Sequence, residues 1–301
     1  MYSYKAAVVQ AAPVLFDKTK TIDKIGKLVD EAASQGAGLI VFPEVFIPGY
    51  PRGLSFGTVV GSRSAEGREL FLEYWNNAIE IPGPDAEMLC KFAKDARAML
   101  AVGVTERDSI SDTLYCTLVY ISKEGKLLGK HRKIKPTAAE RILWGEGDGQ
   151  DLTVYKTSFG SIGGLVCWEN YMPLARTALY QQGIEVYLAP TADCRDSWQS
   201  TLAHIACEGR CYVLGCNQYV TKDQYPESLL KELGNQPDLM CSGGSAIVSP
   251  MGKVIAGPLF GKEGILYADI SHDEVVKAKM DFDVIGHYAR PDIFEFKVKK
   301  P

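Results

Sequence analysis

The chain reads as an α/β protein, and three features of the sequence point there. Strand-like and helix-like segments alternate almost from end to end. With 301 residues, 46% hydrophobic and 23% charged, it has an ordinary globular composition and enough apolar side chains for a large core without disulfide or metal staples. No low-complexity linker or shift in composition divides it, so residues 1–301 are expected to form a single domain, with a short C-terminal tail from about residue 292.

The elements follow in order. Tyr4 to Ala11 is a β-prone run. Thr21 to Ala33 carries Ile22, Ile25, Val29 and Ala32 at helical spacing, and Gln35-Gly36-Ala37-Gly38 ends it. Leu39 to Phe42 is a short continuous apolar run, as a strand covered on both faces requires. Pro84 to Arg97 is a helix started by Pro and Asp, with Met88, Leu89, Phe92 and Ala96 on one face. Met99–Thr105, Leu114–Ile121 and Leu127–Arg132 are strands, the last two joined by a turn at Lys123-Glu124-Gly125-Lys126. The second half repeats the rhythm: strand Ser161–Cys167, helix Leu174–Gln182, strand Val186–Ala189, helix Trp198–Glu208, strand Tyr212–Cys216. Ser245–Ser249 and Val254–Ala256 form a hairpin around Pro250-Met251-Gly252-Lys253. Ser271-His272-Asp273-Glu274 is a capping box that opens the helix Val275–Lys279. This mixture of hairpins and βα units fits a two-sheet layered sandwich as well as one doubly wound sheet.

The net charge of −4 argues against nucleic acid or an anionic membrane as the main partner, because both call for a basic surface. No apolar run approaches the roughly 18 residues of a membrane span. The opening MYSYKAAVVQ lacks the pattern of a secretory signal. The eight cysteines form no Cys-x-x-Cys pair, so reduced thiols and a cytoplasmic location are expected. Cys207, Cys211 and Cys216 with His204 fit no zinc spacing and read as buried thiols. Gly145-Glu146-Gly147-Asp148-Gly149 lacks a P-loop Lys-Ser/Thr and reads as a shaped loop near the site; no nucleotide fingerprint is present and no cofactor is implied.

In α/β folds, sites collect at the carboxyl ends of strands. Three reactive side chains fall there: Glu44 after Leu39–Pro43, Lys133 after Leu127–Arg132, and Cys167 after Ile162–Val166. Taken singly, each also fits a plainer role: a helix cap, a solvated basic face and a small core thiol. What raises all three is their context.

That context is Phe42-Pro43-Glu44-Val45-Phe46-Ile47-Pro48-Gly49-Tyr50-Pro51, then His131-Arg132-Lys133-Ile134-Lys135-Pro136-Thr137 running on to Glu140-Arg141 and Trp144-Gly145-Glu146-Gly147-Asp148-Gly149, then Cys167-Trp168-Glu169-Asn170-Tyr171-Met172-Pro173. It resembles the nitrilase superfamily of carbon–nitrogen hydrolases over nearly the whole chain, Gly286-His287-Tyr288-Ala289-Arg290-Pro291 included. The Cys-Trp-Glu-Asn and Trp-Gly-Glu-Gly-Asp-Gly stretches look like the true nitrilase branch, closest to plant-like and related microbial members, rather than the amidases.

The resemblance implies a four-layer α-β-β-α sandwich with two central mixed sheets. It maps a catalytic triad onto Glu44, Lys133 and Cys167, with Glu140 as a further acid placing the lysine and substrate, and makes Tyr50 and Trp168 candidates for the pocket wall. The residue types suit a small-molecule nitrile: its carbon is a weak electrophile that needs a thiolate, a thiolate needs a base, and the negative charge that builds on nitrogen and oxygen needs a fixed cation. The expected activity is nitrile hydrolysis to acid and ammonia. The alternatives are an amidase of the same superfamily or a catalytically silent assembly protein. The resemblance also implies a homodimer or larger homo-oligomer; because the sequence lacks the long C-terminal extension of many such enzymes, modest multiples are expected over long filaments.

Overall fold

The computed structural model describes residues 2–299. In chain order the elements are β1 (Ser3–Gln10), α1 (Lys18–Ser34), β2 (Ala37–Val41), a two-residue ribbon of β3 (Thr58–Val59) and β4 (Ser62–Arg63), α2 (Ala65–Asn76), α3 (Pro84–Ala96), β5 (Met99–Arg107), β6 (Leu114–Ile121), β7 (Leu127–Arg132), β8 (Tyr155–Thr157) and β9 (Gly160–Gly164). They continue with α4 (Pro173–Tyr180), β10 (Val186–Thr191), α5 (Ser197–Gly209), β11 (Tyr212–Asn217), β12 (Tyr219–Thr221), α6 (Glu227–Leu233), β13 (Leu239–Val248), β14 (Val254–Phe260), β15 (Gly264–Ser271) and α7 (His272–Ala278).

One sheet runs β15-β1-β2-β5-β6-β7 and a second runs β12-β13-β11-β10-β9-β8, with β14 on β13. Each has a parallel centre, β1-β2-β5 and β9-β10-β11, and antiparallel flanks. The period-two alternation of side chains sorts the core into three apolar layers. Ala6 and Val8 of β1, Leu39 and Val41 of β2, Val186 and Leu188 of β10, and Leu214 of β11 meet between the sheets. Ala7, Val9 and Ile40 face the other way, onto Ile25 and Val29 of α1 and Leu89 of α3. Tyr187, Ala189 and Val213 face Leu179 of α4 and Trp198, Leu202 and Ile205 of α5. The result is the expected α-β-β-α sandwich. Of the two architectures that periodicity left open, the two-sheet one is realised. The Cys216 thiol, buried between the sheets, donates to the carbonyls of Val9 and Val41 at 3.2 and 3.3 Å and ties the second sheet to the first.

Several local readings change. The strand ending in Cys167 stops at Gly164, and Cys167 instead opens a 3₁₀ turn over Cys167–Tyr171. On α3, Met88 is 44% exposed, because the buried face runs through Ala86, Leu89 and Ala93. Cys207 is exposed on α5, whereas Cys211 and Cys216 are buried. At α7 the Ser271 hydroxyl accepts from Asp273 N, and Glu274 pairs with Lys277 instead of reaching back to complete a capping box. Helices α2 and α6 and strands β8, β12 and β15 join those read from the sequence.

Both parallel centres and β7 point their carboxyl ends the same way within their sheets, since β7 is two antiparallel steps from β5. Past β2 the chain crosses close over β5: Phe42 N donates to Ala101 O at 2.8 Å and Phe46 N to Gly103 O at 2.7 Å. A Cβ on Gly103 would lie 2.1 Å from Pro43 O and 2.7 Å from Glu44 Cα, so only glycine lets this segment down onto the sheet. Gly103→Ala is therefore expected to cost about 1–3 kcal/mol through overpacking and to displace Glu44. A lower urea midpoint together with reduced turnover is the outcome to check, and a variant with both unchanged would refute the close approach.

Candidate active site

Glu44, Lys133 and Cys167, 34 to 123 residues apart in sequence, come together in one buried cluster. Each is fixed by its backbone. The Glu44 carbonyl accepts from Gln218 Nε2 at 2.6 Å, and Val45 after it takes a left-handed φ of 46° that turns the chain off the sheet. Lys133 extends the edge of β7: its N–H donates to Cys116 O and its carbonyl accepts from Gly147 N, both at 2.8 Å, so the glycine-rich loop does lie against the site. Cys167 has φ 52°, a conformation that costs a side-chain-bearing residue of order 1–3 kcal/mol and recurs at functional turns. The Trp168 N–H that follows has no acceptor among the described residues.

The Lys133 ammonium sits between two carboxylates, 2.7 Å from Glu44 Oε1 and 2.8 Å from Glu140 Oε2. An ammonium has three N–H donors, so one is left for another acceptor. Burial alone would favour the neutral amine, but the charges of Glu44 and of the neighbouring groups hold the lysine protonated, well above its usual range. Burial pushes Glu44 up, against the pull of Lys133, and the Glu140 charge adds to the rise. Glu44 Oε2 is buried and makes no standard hydrogen bond, while the Cys167 thiol helps hold the same carboxylate charged. The Cys167 thiol is pushed up to about 12, first by burial and then by the Glu44 charge, with Lys133 and the Thr191 hydroxyl, 3.2 Å from Sγ, opposing. At rest the thiol keeps its proton, and a base with a free lone pair stands beside it.

Glu140 is no surface residue. It lies in a 3₁₀ turn, its Oε2 accepts from Thr137 N at 2.6 Å, and its Oε1 accepts from Tyr50 Oη at 2.7 Å. Tyr50, Arg52, Glu140, Cys167, Trp168 and Asp193 are among the walls of a cavity of about 210 Å³. Trp168 is 40% exposed; its indole N–H donates to Asp193 Oδ2 at 2.9 Å and the Arg195 guanidinium lies 4.7 Å over its ring. All six candidate residues thus border one site.

Glu169 is the residue that position in the sequence did not single out. Its buried carboxylate accepts from Val166 N at 2.7 Å, from Ile134 N at 2.6 Å and from His131 Nε2 at 3.0 Å. It thereby ties the Cys167 turn to the strand end that carries Lys133. His131 is gripped on its other side by Asp151, at 3.0 Å from Nδ1. Burial opposes a charge on this imidazole, but Glu169 and Asp151 outweigh it and raise its pKa to about 10.

An α/β sandwich with an acid, a lysine and a cysteine at its sheet ends defines a class of hydrolase that cleaves carbon–nitrogen bonds. The carbon–nitrogen hydrolase family pattern matches residues 5–280, and the chain belongs to that family, in its true nitrilase branch. The chain is 51% identical over 299 residues to an aliphatic nitrilase of Sinorhizobium fredii (strain HH103), covering 99% of this chain and 96% of that one. It is 49% identical to the bifunctional nitrilase/nitrile hydratase NIT4B of Nicotiana tabacum, covering 98% and 86%. Among solved structures it shares its fold with a carbon–nitrogen hydrolase from Helicobacter pylori G27, at a TM-score of 0.77, 19% identity and 97% of each chain. It is also similar to Saccharomyces cerevisiae Nit3, at a TM-score of 0.73, 20% identity and coverage of 95% and 96%.

The raised His131 pKa gives a sign for stability against pH. A folded value above the unfolded one, near 6.5, supplies stability that is full below about 6.5 and is lost as pH climbs towards about 10. Urea midpoints measured across that window are expected to fall for the native chain and to fall less steeply for His131→Gln. Parallel slopes would show that the imidazole is not charged in the fold.

Proposed function

We propose that the chain hydrolyses an organic nitrile to the carboxylic acid and ammonia at this cluster, with Cys167 as nucleophile. The observation that carries the reading is the buried contact of Lys133 with Glu44 beside a thiol that needs a base; the identity to proteins named as nitrilases supports it. Glu44 takes the thiol proton, Sγ adds to the nitrile carbon, and the nitrogen takes a proton from Lys133, leaving a thioimidate. Lys133 regains a proton from Glu44 across their 2.7 Å contact. Glu44 then deprotonates a water that adds to the same carbon. Glu44 hands that proton to the nitrogen, the proton of the new hydroxyl follows it as the carbonyl forms, and ammonia leaves; a second water, again deprotonated by Glu44, cleaves the remaining thioester, and the departing thiolate takes that proton back. Lys133 and the free Trp168 N–H stabilise the charge that builds on nitrogen and then on oxygen. Glu140 holds Lys133 and Tyr50 in place, and Tyr50 and Trp168 shape the pocket.

The tetrahedral species can instead expel the thiolate and release an amide. A positive Lys133 and an anionic Glu44 near the departing nitrogen favour its loss as ammonia, so acid is the expected main product and amide a minor one. Chromatography of the products from several nitriles checks this; amide dominating throughout the panel would make the enzyme a hydratase, and faster turnover of amides than of nitriles would make it an amidase.

Cys167→Ala is expected to abolish turnover and keep the fold, and Glu44→Gln, Lys133→Ala and Glu140→Gln are each expected to lose on the order of 10² or more in rate. Single-turnover assays with mass analysis of the trapped adduct test the assignment, and an adduct on another cysteine overturns it. Because Glu44 is raised, the acid limb of kcat/KM should lie above the ordinary carboxylate range.

The same reading makes the protein a homo-oligomer in the cytosol. Tyr171 just before α4, Leu174 on it, and Met280, Tyr288 and Phe294 further on are large apolar side chains left exposed. All eight cysteines are free, as a reducing compartment requires, and no helix among the described residues is long and apolar enough to cross a membrane. Light scattering that returned a monomer at working concentration would refute the assembly.

A further inference from the structure

The reaction uses one cation, Lys133, yet the cavity wall holds another that the chemistry leaves idle. Arg52 is half-buried at this wall. One Nη2 N–H donates to the carbonyl of Ala192, its own carbonyl accepts from Tyr225 Oη at 3.1 Å, and the guanidinium lies 5.5 Å from the centre of the Tyr50 ring. These contacts hold the backbone and the side chain of Arg52 but place no carboxylate against it. The two acids on the same wall are engaged elsewhere: Glu140 by Lys133, Tyr50 and Thr137 N, and Asp193 by Arg195 and the Trp168 indole. Arg52 has no carboxylate partner among the described residues, and its remaining N–H groups, which have no protein acceptor, are not sealed inside the protein. Arg52 is one of the residues that line the cavity.

The other polar neighbours are the thiols of Cys194 and Cys241 and the phenols of Tyr50 and Tyr225. Of these only Cys194 is drawn low, to about 5, chiefly by a hydrogen bond from Cys241. A thiolate is a single soft acceptor and leaves the planar fork of the guanidinium unfilled. A partly desolvated guanidinium without a matching anion is costly, and the group that matches its fork is a carboxylate. The anchor also places it usefully. Ala192 follows Thr191, whose hydroxyl lies 3.2 Å from the Cys167 sulfur, so the carbonyl that anchors Arg52 is one residue along the chain from the contact of Cys167, and Arg52 and Cys167 line the same cavity.

We propose that Arg52 is an anion-recognition residue and that the preferred substrate is a short aliphatic nitrile carrying a carboxylate at its far end. The inference rests on the reading of this cavity as the nitrile site. It makes Arg52 a specificity determinant: the nitrile end goes to Cys167 and Lys133, the carboxylate end to Arg52, and the saturated chain between them sets which length spans the two. A nitrile of equal length without the carboxylate leaves the guanidinium unpaired and is the poorer substrate.

The test compares ω-cyanocarboxylates of two to four methylenes with their methyl esters and with unsubstituted nitriles of equal length. In the native enzyme, kcat/KM is expected to favour one carboxylate by at least about tenfold over its ester, mostly through KM, as for a hydrogen bond to a charged group. Arg52→Leu should erase that ratio and Arg52→Lys should keep part of it, since the charge stays and the fork is lost. Calorimetric titration of Cys167→Ala with the same pairs reads binding without turnover, and there the carboxylate should again bind at least about tenfold tighter, with the difference gone in the double variant Cys167→Ala/Arg52→Leu. Equal affinity for acid and ester, or a preference that survives Arg52→Leu, overturns the anion site. If neutral nitriles are hydrolysed with no carboxylate preference, only this inference fails. If carboxylates bind through Arg52 and no nitrile is turned over, the nitrilase reading fails and the anion site stands.

Discussion

The structure turns on a buried ammonium held between two carboxylates. Lys133 is fully buried, and a lone charge there would be driven to neutrality by desolvation. Glu44 and Glu140 prevent this by bracketing the ammonium at 2.7 and 2.8 Å. Two carboxylates thus crowd one ammonium, and burial and the neighbouring charges push both Glu44 and the Cys167 thiol towards their protonated forms. An exposed version of the same three residues would be screened by water and would hold no such tension.

Keeping this cluster in register demands that two sheets agree. Glu44 and Lys133 hang from the first sheet and Cys167 from the second. Two buried polar ties cross between the segments: the Cys216 thiol to the carbonyls of Val9 and Val41, and the Glu169 carboxylate to the N–H groups of Val166 and Ile134. Apolar packing alone sets the spacing of sheets well and their sliding poorly, because it has no direction. Hydrogen bonds to backbone groups at the ends of β2, β7 and β9 supply the direction.

Much of this was legible in the sequence, and the reasons it was or was not are physical. Apolar runs and helical spacing locate α1, β1, β2 and β6 because each buries a continuous stripe, as Ile22, Ile25, Val29 and Ala32 do on α1. On α3 the apolar residues spread over more than half the helix, so spacing alone does not tell which side faces the sheet, and Met88 ends up outside. Helix α2 escapes notice since few of its residues are buried among many charges. Glu44, Lys133 and Cys167 are readable as candidates because each carries its own local motif. The cross-sheet role of Glu169, which lies in the same motif as Cys167, and the placing of Arg52 are not, because the partners that define them are distant in the chain: Ile134 is 35 residues from Glu169, and Ala192 is 140 from Arg52.

The left-handed backbone of Cys167 has a consequence for how such a protein changes over time. Glycine adopts that conformation at no steric cost, so a glycine at this position would relax the turn and make the fold more robust while removing the sulfur. On the proposed chemistry, Cys167 occupies a position where thermodynamic fitness and chemical fitness pull in opposite directions. Random mutagenesis screened for heat resistance alone should drift towards losing it, and a lineage that retains cysteine here records continuous selection for the reaction.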